Sequence, residues 1–322
     1  MKARDYIPAL KFGGRLYPED FASPLTFSGQ YLYVDGDHGT DSDNAGTTIE
    51  KPFLTIQKAI DSASAWDVIF IAAIDPDSDA SEPGTYAEDL TIAYAKHGLS
   101  LIGVTPGRSK MPFIGPKIKN ATAVPLIDVL AAGVHLENIQ LNCTRNSGTY
   151  GVYLEGNSGY TTAAGSVGFT MANCMIKNGG RTGAYGGVHM IGGYGSVISD
   201  CTFDGCLYGL ILGNSVLPSN GHTVEYCNLK DINAEAATAH ITVPPGLNAD
   251  INIDHCNFAA ATKFIVVGVT TSGVISFCGF NDGINAITAK SDGKIEIPAA
   301  NDAWGVCACY DGKGALIVAD GA

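Results

Sequence analysis

One six-residue pattern decides the fold and recurs as MANCMI (171–176), ISDCTF (198–203), VEYCNL (224–229), IDHCNF (253–258) and ISFCGF (275–280). Each copy begins and ends with an apolar residue and has cysteine in its fourth position. The cysteines of neighbouring copies are 22 to 29 residues apart, and LENIQL (136–141) is an earlier copy with isoleucine in the cysteine position. Repeats of this length predict a β-solenoid in which each coil packs on its neighbours.

The apolar positions of the repeat form columns when the copies are aligned. The residues three before and two after the cysteine are apolar in all six copies. Because parallel strands of successive coils lie ~4.8 Å apart, we expect these columns to become continuous interior ladders. A second strand recurs midway through each coil, as in GVYLEG (151–156) and GVHMIG (187–192). The expected structural ladder of reduced, buried thiols consists of Cys174, Cys201, Cys227, Cys256 and Cys278.

The segment before the repeats has the pattern of a solenoid cap. PFLTIQKAIDSAS has apolar residues at helical spacing, which predicts a cap helix over 52–64 with Thr55 as its N-cap. We therefore expect an attachment arm over 1–30, a β-helix over 31–290 that includes the cap helix, and a C-terminal β cap or oligomerisation segment over 291–322. We also expect the cysteine column to stop near residue 290.

A family resemblance supports this interpretation. The run VDGDHGTDSDNAGTTIEKPFLTIQKAID, followed by PGTYAEDLTI and LSLIGV, resembles the start of right-handed parallel β-helix proteins of the pectin-lyase-like superfamily. The resemblance implies an all-β, right-handed parallel β-helix. This architecture is shared by polysaccharide lyases, hydrolases and esterases and by bacteriophage tailspikes, so the fold alone does not select a function.

The N-terminal segment resembles the attachment segments of bacteriophage structural proteins. It mixes aromatic residues, prolines and charges of both signs, as in an arm that becomes ordered against a partner. The expected particle-attachment residues are Arg4, Tyr6, Ile7, Leu10, Phe12 and Tyr17. The resemblance to virion spikes also implies a homotrimer.

Composition excludes several classes of partner. The chain carries 19 basic and 32 acidic residues, a net charge of −13, and has no basic cluster, so we expect neither nucleic acid nor an anionic membrane as a partner. The N-terminus has no signal-peptide core, so we expect synthesis in a host cytoplasm and residence in a virion. Nine cysteines in such a chain predict free thiols rather than a disulfide framework.

Three groups of residues are candidates for catalysis. Glu225 and Asp254 occupy the same position in adjacent coils, so a bend before the cysteine would place two carboxyl groups side by side and raise the pKa of one. Two solvated turn residues are the alternative. The next column holds Tyr226, His255 and Phe277, which could face a sugar ring or stiffen the turn. His189 should project outward beside Tyr153 and is a candidate base.

The loop DGDHGTDSD contains candidates for a calcium site. Asp35, Asp37, Asp41 and Asp43 supply suitable oxygens. An EF-hand loop counted from Asp35 would need glycine and glutamate where this chain has Thr40 and Gly46. We therefore expect no cofactor, with Ca²⁺ as the alternative.

These observations favour a structural function. The catalytic signatures of the superfamily are not evident, and Arg145 and Arg181 stand in glycine-rich loops without an obvious carboxylate partner. We expect a bacteriophage virion protein, either a capsid decoration protein bound to the major capsid protein or a tailspike-like appendage that contacts a host surface glycan. The alternatives are a polysaccharide lyase or glycosidase and a non-catalytic carbohydrate-binding β-helix that uses the loops over 145–190.

Overall fold

Three long parallel sheets form the body of the protein. The computed structural model describes residues 29–74, 84–104, 115–122, 125–143, 150–155, 167–177, 186–230, 237–259, 261–281, 295–297, 304–307 and 309–311. The predicted parallel β-helix is confirmed, because successive coils pair in parallel and in register over these residues. Within this part of the chain, no helix has the length and hydrophobicity needed to cross a lipid bilayer.

The strands fall into one small and three long sheets. The ten-stranded sheet contains Tyr31–Val34 (β1), Val68–Ala72 (β2), Ser100–Val104 (β5), His135–Glu137 (β8), Thr170–Ala172 (β11), Val197–Ser199 (β15), Thr223–Glu225 (β19), Ile251–Asp254 (β23), Gly273–Ser276 (β26) and Trp304–Cys307 (β29). The nine-stranded sheet contains Thr85–Ala87 (β3), Lys117–Lys119 (β6), Gln140–Asn142 (β9), Met175–Lys177 (β12), Thr202–Asp204 (β16), Asn228–Lys230 (β20), Asn257–Ala259 (β24), Gly279–Asn281 (β27) and Tyr310–Asp311 (β30). The eight-stranded sheet contains Leu90–Ile92 (β4), Ile127–Val129 (β7), Val152–Leu154 (β10), Val188–Met190 (β13), Tyr208–Leu212 (β17), Ala237–Val243 (β21), Ala261–Val267 (β25) and Ile295–Glu296 (β28). The small sheet contains Gly193–Tyr194 (β14), Ser219–Asn220 (β18) and Asn248–Ala249 (β22).

The two apolar columns of the repeat become interior ladders. The first follows paired positions of the ten-stranded sheet and consists of Met171, Ile198, Val224, Ile253 and Ile275. The second follows the nine-stranded sheet and consists of Ile176, Phe203, Leu229, Phe258 and Phe280. All ten side chains are at most 1% exposed. Each packs on an apolar side chain of the next coil, and this burial stabilises the stack.

A sharp bend separates these two columns. The residue before the cysteine position has a positive φ of 48° to 60° in all six copies: Asn138, Asn173, Asp200, Tyr226, His255 and Phe277. This left-handed conformation redirects the chain from the ten-stranded to the nine-stranded sheet. It also explains why the residue two before the cysteine points outward while the cysteine points inward.

The predicted cysteines line the interior at this bend. Cys201, Cys227, Cys256 and Cys278 are fully buried and Cys174 is 3% exposed. Each thiol donates a hydrogen bond to the backbone carbonyl two residues before it, as Cys227 does to Glu225 at 3.2 Å. Burial raises the pKa of the Cys201 thiol, which keeps it protonated and unreactive.

The expectation that the cysteine column stops near residue 290 is wrong. Strand β29 pairs with β26, with Val306 beside Ile275, and Cys309 is therefore the next member of the ladder after Cys278. Cys309 is buried, and its Sγ donates to the Ile275 carbonyl at 3.7 Å. The described parts of 291–322 thus continue the coil pattern.

The motif GTY-x-E (84–88) joins the cap helix to the first coils. The helix spans Ile56–Ser62 (α1), begins after Thr55 and buries Ile56, Ala59 and Ile60. The Glu88 carboxylate accepts hydrogen bonds from the backbone N–H groups of Ile56 and Gln57, at 2.9 and 2.8 Å. The Tyr86 hydroxyl donates to the Ala72 carbonyl and accepts from the Gly36 N–H. The motif therefore fixes helix, loop and strand against one another.

Candidate functional site

The predicted carboxylate pair lies side by side. Glu225 and Asp254 are direct partners in strands β19 and β23. Asp254 accepts a hydrogen bond from the Ser276 hydroxyl and lies 2.6 Å from His255 Nδ1. Burial raises the pKa of Asp254, but these two hydrogen bonds outweigh it and hold the pKa below its usual range. Asp254 therefore lacks the raised pKa that we expected of a general acid.

The aromatic column at the bend is a stack of rings. Ring centroids are 4.9 Å apart between Tyr226 and His255 and again between His255 and Phe277. The ring faces lie against each other and their edges face the solvent. This arrangement stiffens the turn and leaves no ring face between the three residues for a sugar.

The four candidate calcium ligands are divided between two roles. Asp41 accepts hydrogen bonds from the N–H groups of Leu54 and Thr55, and Asp43 lies 3.2 Å from the Lys58 ammonium. Asp35 and Asp37 instead approach His38, with one ligand atom from each residue within 4.8 Å of the others. The four aspartates therefore do not converge on one ion.

Some predicted residues lie outside the described part of the chain. These are the attachment residues Arg4, Tyr6, Ile7, Leu10, Phe12 and Tyr17, together with Arg145 and Arg181. Their functions stay predictions.

His189 belongs to an outward-facing row on the eight-stranded sheet. Strand alternation buries Val188 and Met190 and turns His189 to the outer face. The paired positions in the register are Asp128 on β7, Tyr153 on β10 and His189 on β13. The His189 ring lies 5.6 Å from Tyr153 and 4.9 Å from Tyr150, and the two tyrosine rings stack 5.0 Å apart.

Along this row lie buried polar atoms that have no hydrogen-bond partner among the described residues. They are Asp128 Oδ1, His189 Nδ1 and, two coils beyond His189, Thr242 Oγ1. Buried polar atoms in proteins are nearly always hydrogen-bonded, and a catalytic role or a bound water or ion is among the explanations for an exception. Three such atoms on the outer face of one sheet therefore mark it as a candidate ligand site.

The electrostatics of the row suit acid–base chemistry. Burial, with the charge of Glu155, raises the pKa of Asp128 to about 6. Burial also lowers the pKa of His189 to about 4, against the effect of a hydrogen bond with the Gly213 backbone. Burial and the charges of Glu155 and Asp128 raise the pKa of Tyr153. Near neutral pH, the row thus holds a carboxyl group whose pKa of about 6 lies close to the ambient pH, a neutral imidazole and a neutral phenol.

Sequence reasoning placed His189 and Tyr153 together but missed Asp128. The residue stands between two buried positions, Ile127 and Val129, so alternation could have shown that it points outward. Nothing in that local pattern shows that its carboxyl oxygen is covered. That burial depends on neighbouring coils.

Comparison with known proteins shows the fold. The chain matches no protein-family model. It also matches no curated protein. Among solved structures, it is similar to a rhamnogalacturonan lyase, with a TM-score of 0.50, 12% identity and coverage of 79% of this chain and 68% of that one. It is also similar to a GH136 lacto-N-biosidase from Eubacterium ramulus, with a TM-score of 0.57, 9% identity and coverage of 88% of this chain and 55% of that one. The chain therefore has a parallel β-helix fold, like these two solved structures.

Proposed function

We propose that this protein binds and hydrolyses a glycan on the outer face of the eight-stranded sheet. The observation that carries the proposal is the Asp128 carboxyl group, which is paired in register with Tyr153 and has a buried oxygen without a hydrogen-bond partner in the described part of the chain. The two fold neighbours support it, because their names describe a lyase of rhamnogalacturonan and a lacto-N-biosidase.

In this proposal, one carboxyl group acts as the general acid and a second acts as the general base. Asp128, with its raised pKa, donates a proton to the oxygen of the breaking glycosidic bond. Glu155, one coil away and close enough to influence Asp128, takes a proton from the attacking water. The sugar ring gains the hydroxyl group and the leaving sugar gains the proton. The stacked rings of Tyr150 and Tyr153 provide an apolar surface for a sugar.

The substitution Asp128→Asn tests this assignment. We expect turnover of the best substrate in a panel of neutral and acidic polysaccharides to fall at least about 100-fold, because the amide cannot donate the proton. Asp200→Asn is the matched control, since it removes the same charge from an exposed turn residue. Turnover is measured by reducing-end release.

The stability of the same variant separates catalysis from unfolding. A carboxyl group whose pKa is raised by folding stabilises the protein at low pH and destabilises it once pH exceeds that pKa. We therefore expect Asp128→Asn to be more stable than the parent at pH 8 by about 1 kcal/mol, after allowance for solvent screening, and to lose this advantage near pH 4. Unchanged turnover in Asp128→Asn, or equal loss in Asp200→Asn, would contradict the assignment.

A second candidate function is a bacteriophage appendage. Its support is the sequence of residues 1–30, which resembles the attachment segments of phage structural proteins. In this proposal, a homotrimer is held on the particle by the arm and projects its coil stack outward. The two functions are compatible, because a spike can carry a glycan-cleaving body.

Deletion of residues 1–30 tests the second candidate. We expect the shortened chain to fold, since the first strand, β1, begins at Tyr31 and the interior ladders of the repeat lie further along the chain. The shortened chain should be missing from purified particles that contain the full chain. A full-length chain that is monomeric by light scattering and absent from particles by mass spectrometry would reject this function.

A further inference from the structure

A groove of about 440 Å³ lies on the outer face of the nine-stranded sheet. It is formed by strands β16, β20, β24 and β27, and the side chains that shape it include Asn228, Lys230, Asn257, Ala259 and Asn281. This face belongs to a different sheet from the one that carries Asp128 and His189. The groove is therefore separate from the candidate site described above.

Two small residues open the groove. Gly279 follows Asn257 in one outward row and is followed there by the half-exposed Tyr310. Ala259 lies between Lys230 and Asn281 in the neighbouring outward row. Phe258 and Phe280, whose side chains point inward and whose rings stack 4.9 Å apart, also border the groove.

Polar groups along the groove are arranged for hydrogen bonding. Asn228 and Asn257 are both exposed, and the Asn257 amide donates to Asn228 Oδ1 at 3.3 Å. This bond leaves the Asn228 amide group and the Asn257 carbonyl oxygen without another side-chain partner among the described residues. Paired amide donors and acceptors of this kind suit adjacent hydroxyl groups.

The groove of this acidic protein is lined by a lysine. The protein carries a net charge of −13. Among the described residues that line the groove, Lys230 is a cation and none is a carboxylate. The Lys230 ammonium group makes no ion pair within the described part of the chain. An anionic group on a ligand would meet this cation, whose register partner on strand β16 is the buried Asp204.

We propose that this groove is a second, non-catalytic glycan-binding site for an extended oligosaccharide that runs along the helix axis. Successive coils are ~4.8 Å apart, close to the length of one sugar residue in an extended chain, so one sugar can lie over each coil. The amides of Asn228 and Asn257 bind hydroxyl groups, and Lys230 favours a sugar that bears a carboxylate. The proposal shares with the proposed function the assumption that the ligand is a glycan, but it does not require catalysis.

The substitution Gly279→Thr fills the groove while preserving the fold. A Cβ at this position would lie 2.9 Å from Asn257 Oδ1, so the amide must move. Threonine occupies the same row at position 202 and is favoured in strands, whereas glycine weakens them. Val274→Thr is the control, because it places threonine at an exposed position of the ten-stranded sheet.

Binding is measured on an array of neutral and acidic oligosaccharides, with all variants built on Asp128→Asn and Tyr153→Ala, which prevent cleavage and remove a ring that the proposed function uses to bind sugar at the other site. We expect Gly279→Thr to weaken binding at least about 10-fold, because it fills the space and displaces an amide, and Val274→Thr to leave it unchanged. Lys230→Gln should reduce binding of acidic oligosaccharides more than of neutral ones.

Two results would overturn the groove assignment. One is an array on which no oligosaccharide binds, and the other is equal binding by the Gly279→Thr and Val274→Thr proteins. Neither result depends on turnover, and turnover by the parent protein is the test of the Asp128 assignment. The failure of one proposal can therefore be told from the failure of the other.

Discussion

Acidification from pH 7 to pH 4 is expected to lower the free energy of unfolding by several kcal/mol. The cause is the buried His222 and His240 and the partly buried His189, each of which burial holds at a pKa of about 4. In the unfolded chain their pKa returns to about 6.5, so the unfolded state binds more protons as pH falls through this window. Their stabilising effect is complete above about pH 6.5 and is lost toward pH 4.

The surroundings of His222 show why it stays neutral. Its Nδ1 accepts a hydrogen bond from the Ser196 N–H, and its Nε2 lies 2.7 Å from the Ser219 hydroxyl. A proton on Nδ1 would break the first bond and place a charge in a site with no solvent access. The lowered pKa of each histidine corresponds to up to about 3 kcal/mol of stability at pH 7. The raised pKa of Asp128 has the opposite effect and offsets part of the total for the three histidines.

Urea titrations at pH 7, 5.5 and 4 measure this effect. The variant His222→Gln should have a shallower dependence of stability on pH than the parent, whatever its stability at pH 7. His38→Gln is the control, since the His38 side chain is 78% exposed. Equal free energies of unfolding at pH 7 and pH 4 would refute the prediction.

Truncation of Phe258 is expected to destabilise the protein by about 3 to 5 kcal/mol, because it leaves a cavity in the interior ladder. Phe258 is 1% exposed. Its ring contacts those of Phe280, Phe264 and His240, with centroids 4.9, 6.0 and 6.2 Å away. The variant Phe258→Ala therefore removes contacts both between coils and across the coil.

Phe277→Ala is the matched control for this substitution. Phe277 belongs to the exposed stack at the bend, where its ring contacts His255 and is 52% exposed. We expect its loss to cost no more than about 1 kcal/mol, the value of one aromatic contact without burial. Chemical denaturation compares the two variants, and equal destabilisation would show that the ladder does not dominate stability.

Much of the fold could be predicted because, in a solenoid, the position of a residue in the repeat corresponds directly to its position in a sheet. Each coil contacts its neighbours, so a position in the repeat becomes a row in a sheet. The columns on either side of Cys227 are interior ladders, and the bend between Glu225 and Cys227 lies where the pattern requires it. The last coil was missed because Asp311 stands where Phe280 and the earlier copies have an apolar residue.

The candidate site could be predicted only in part. Alternation turned His189 outward beside Tyr153, but the same pattern gave Glu225 and Asp254 equal standing with it. Hydrogen bonding in the structure distinguishes the Glu225–Asp254 pair from the row that contains His189. Asp254 has hydrogen-bond partners in Ser276 and His255, whereas a buried oxygen of Asp128 has none among the residues that the structure describes.

The coil length, the inward columns and the cap helix that follows Thr55 can all be predicted from the linear sequence. These features follow from local burial and from apolar side chains repeating at fixed spacing, which a linear pattern records. The tertiary structure is needed to show which outward residues are covered, which pKa values are shifted and where Gly279 opens a groove. Those properties depend on side chains from adjacent coils that lie more than 20 residues apart in sequence but one strand apart in space.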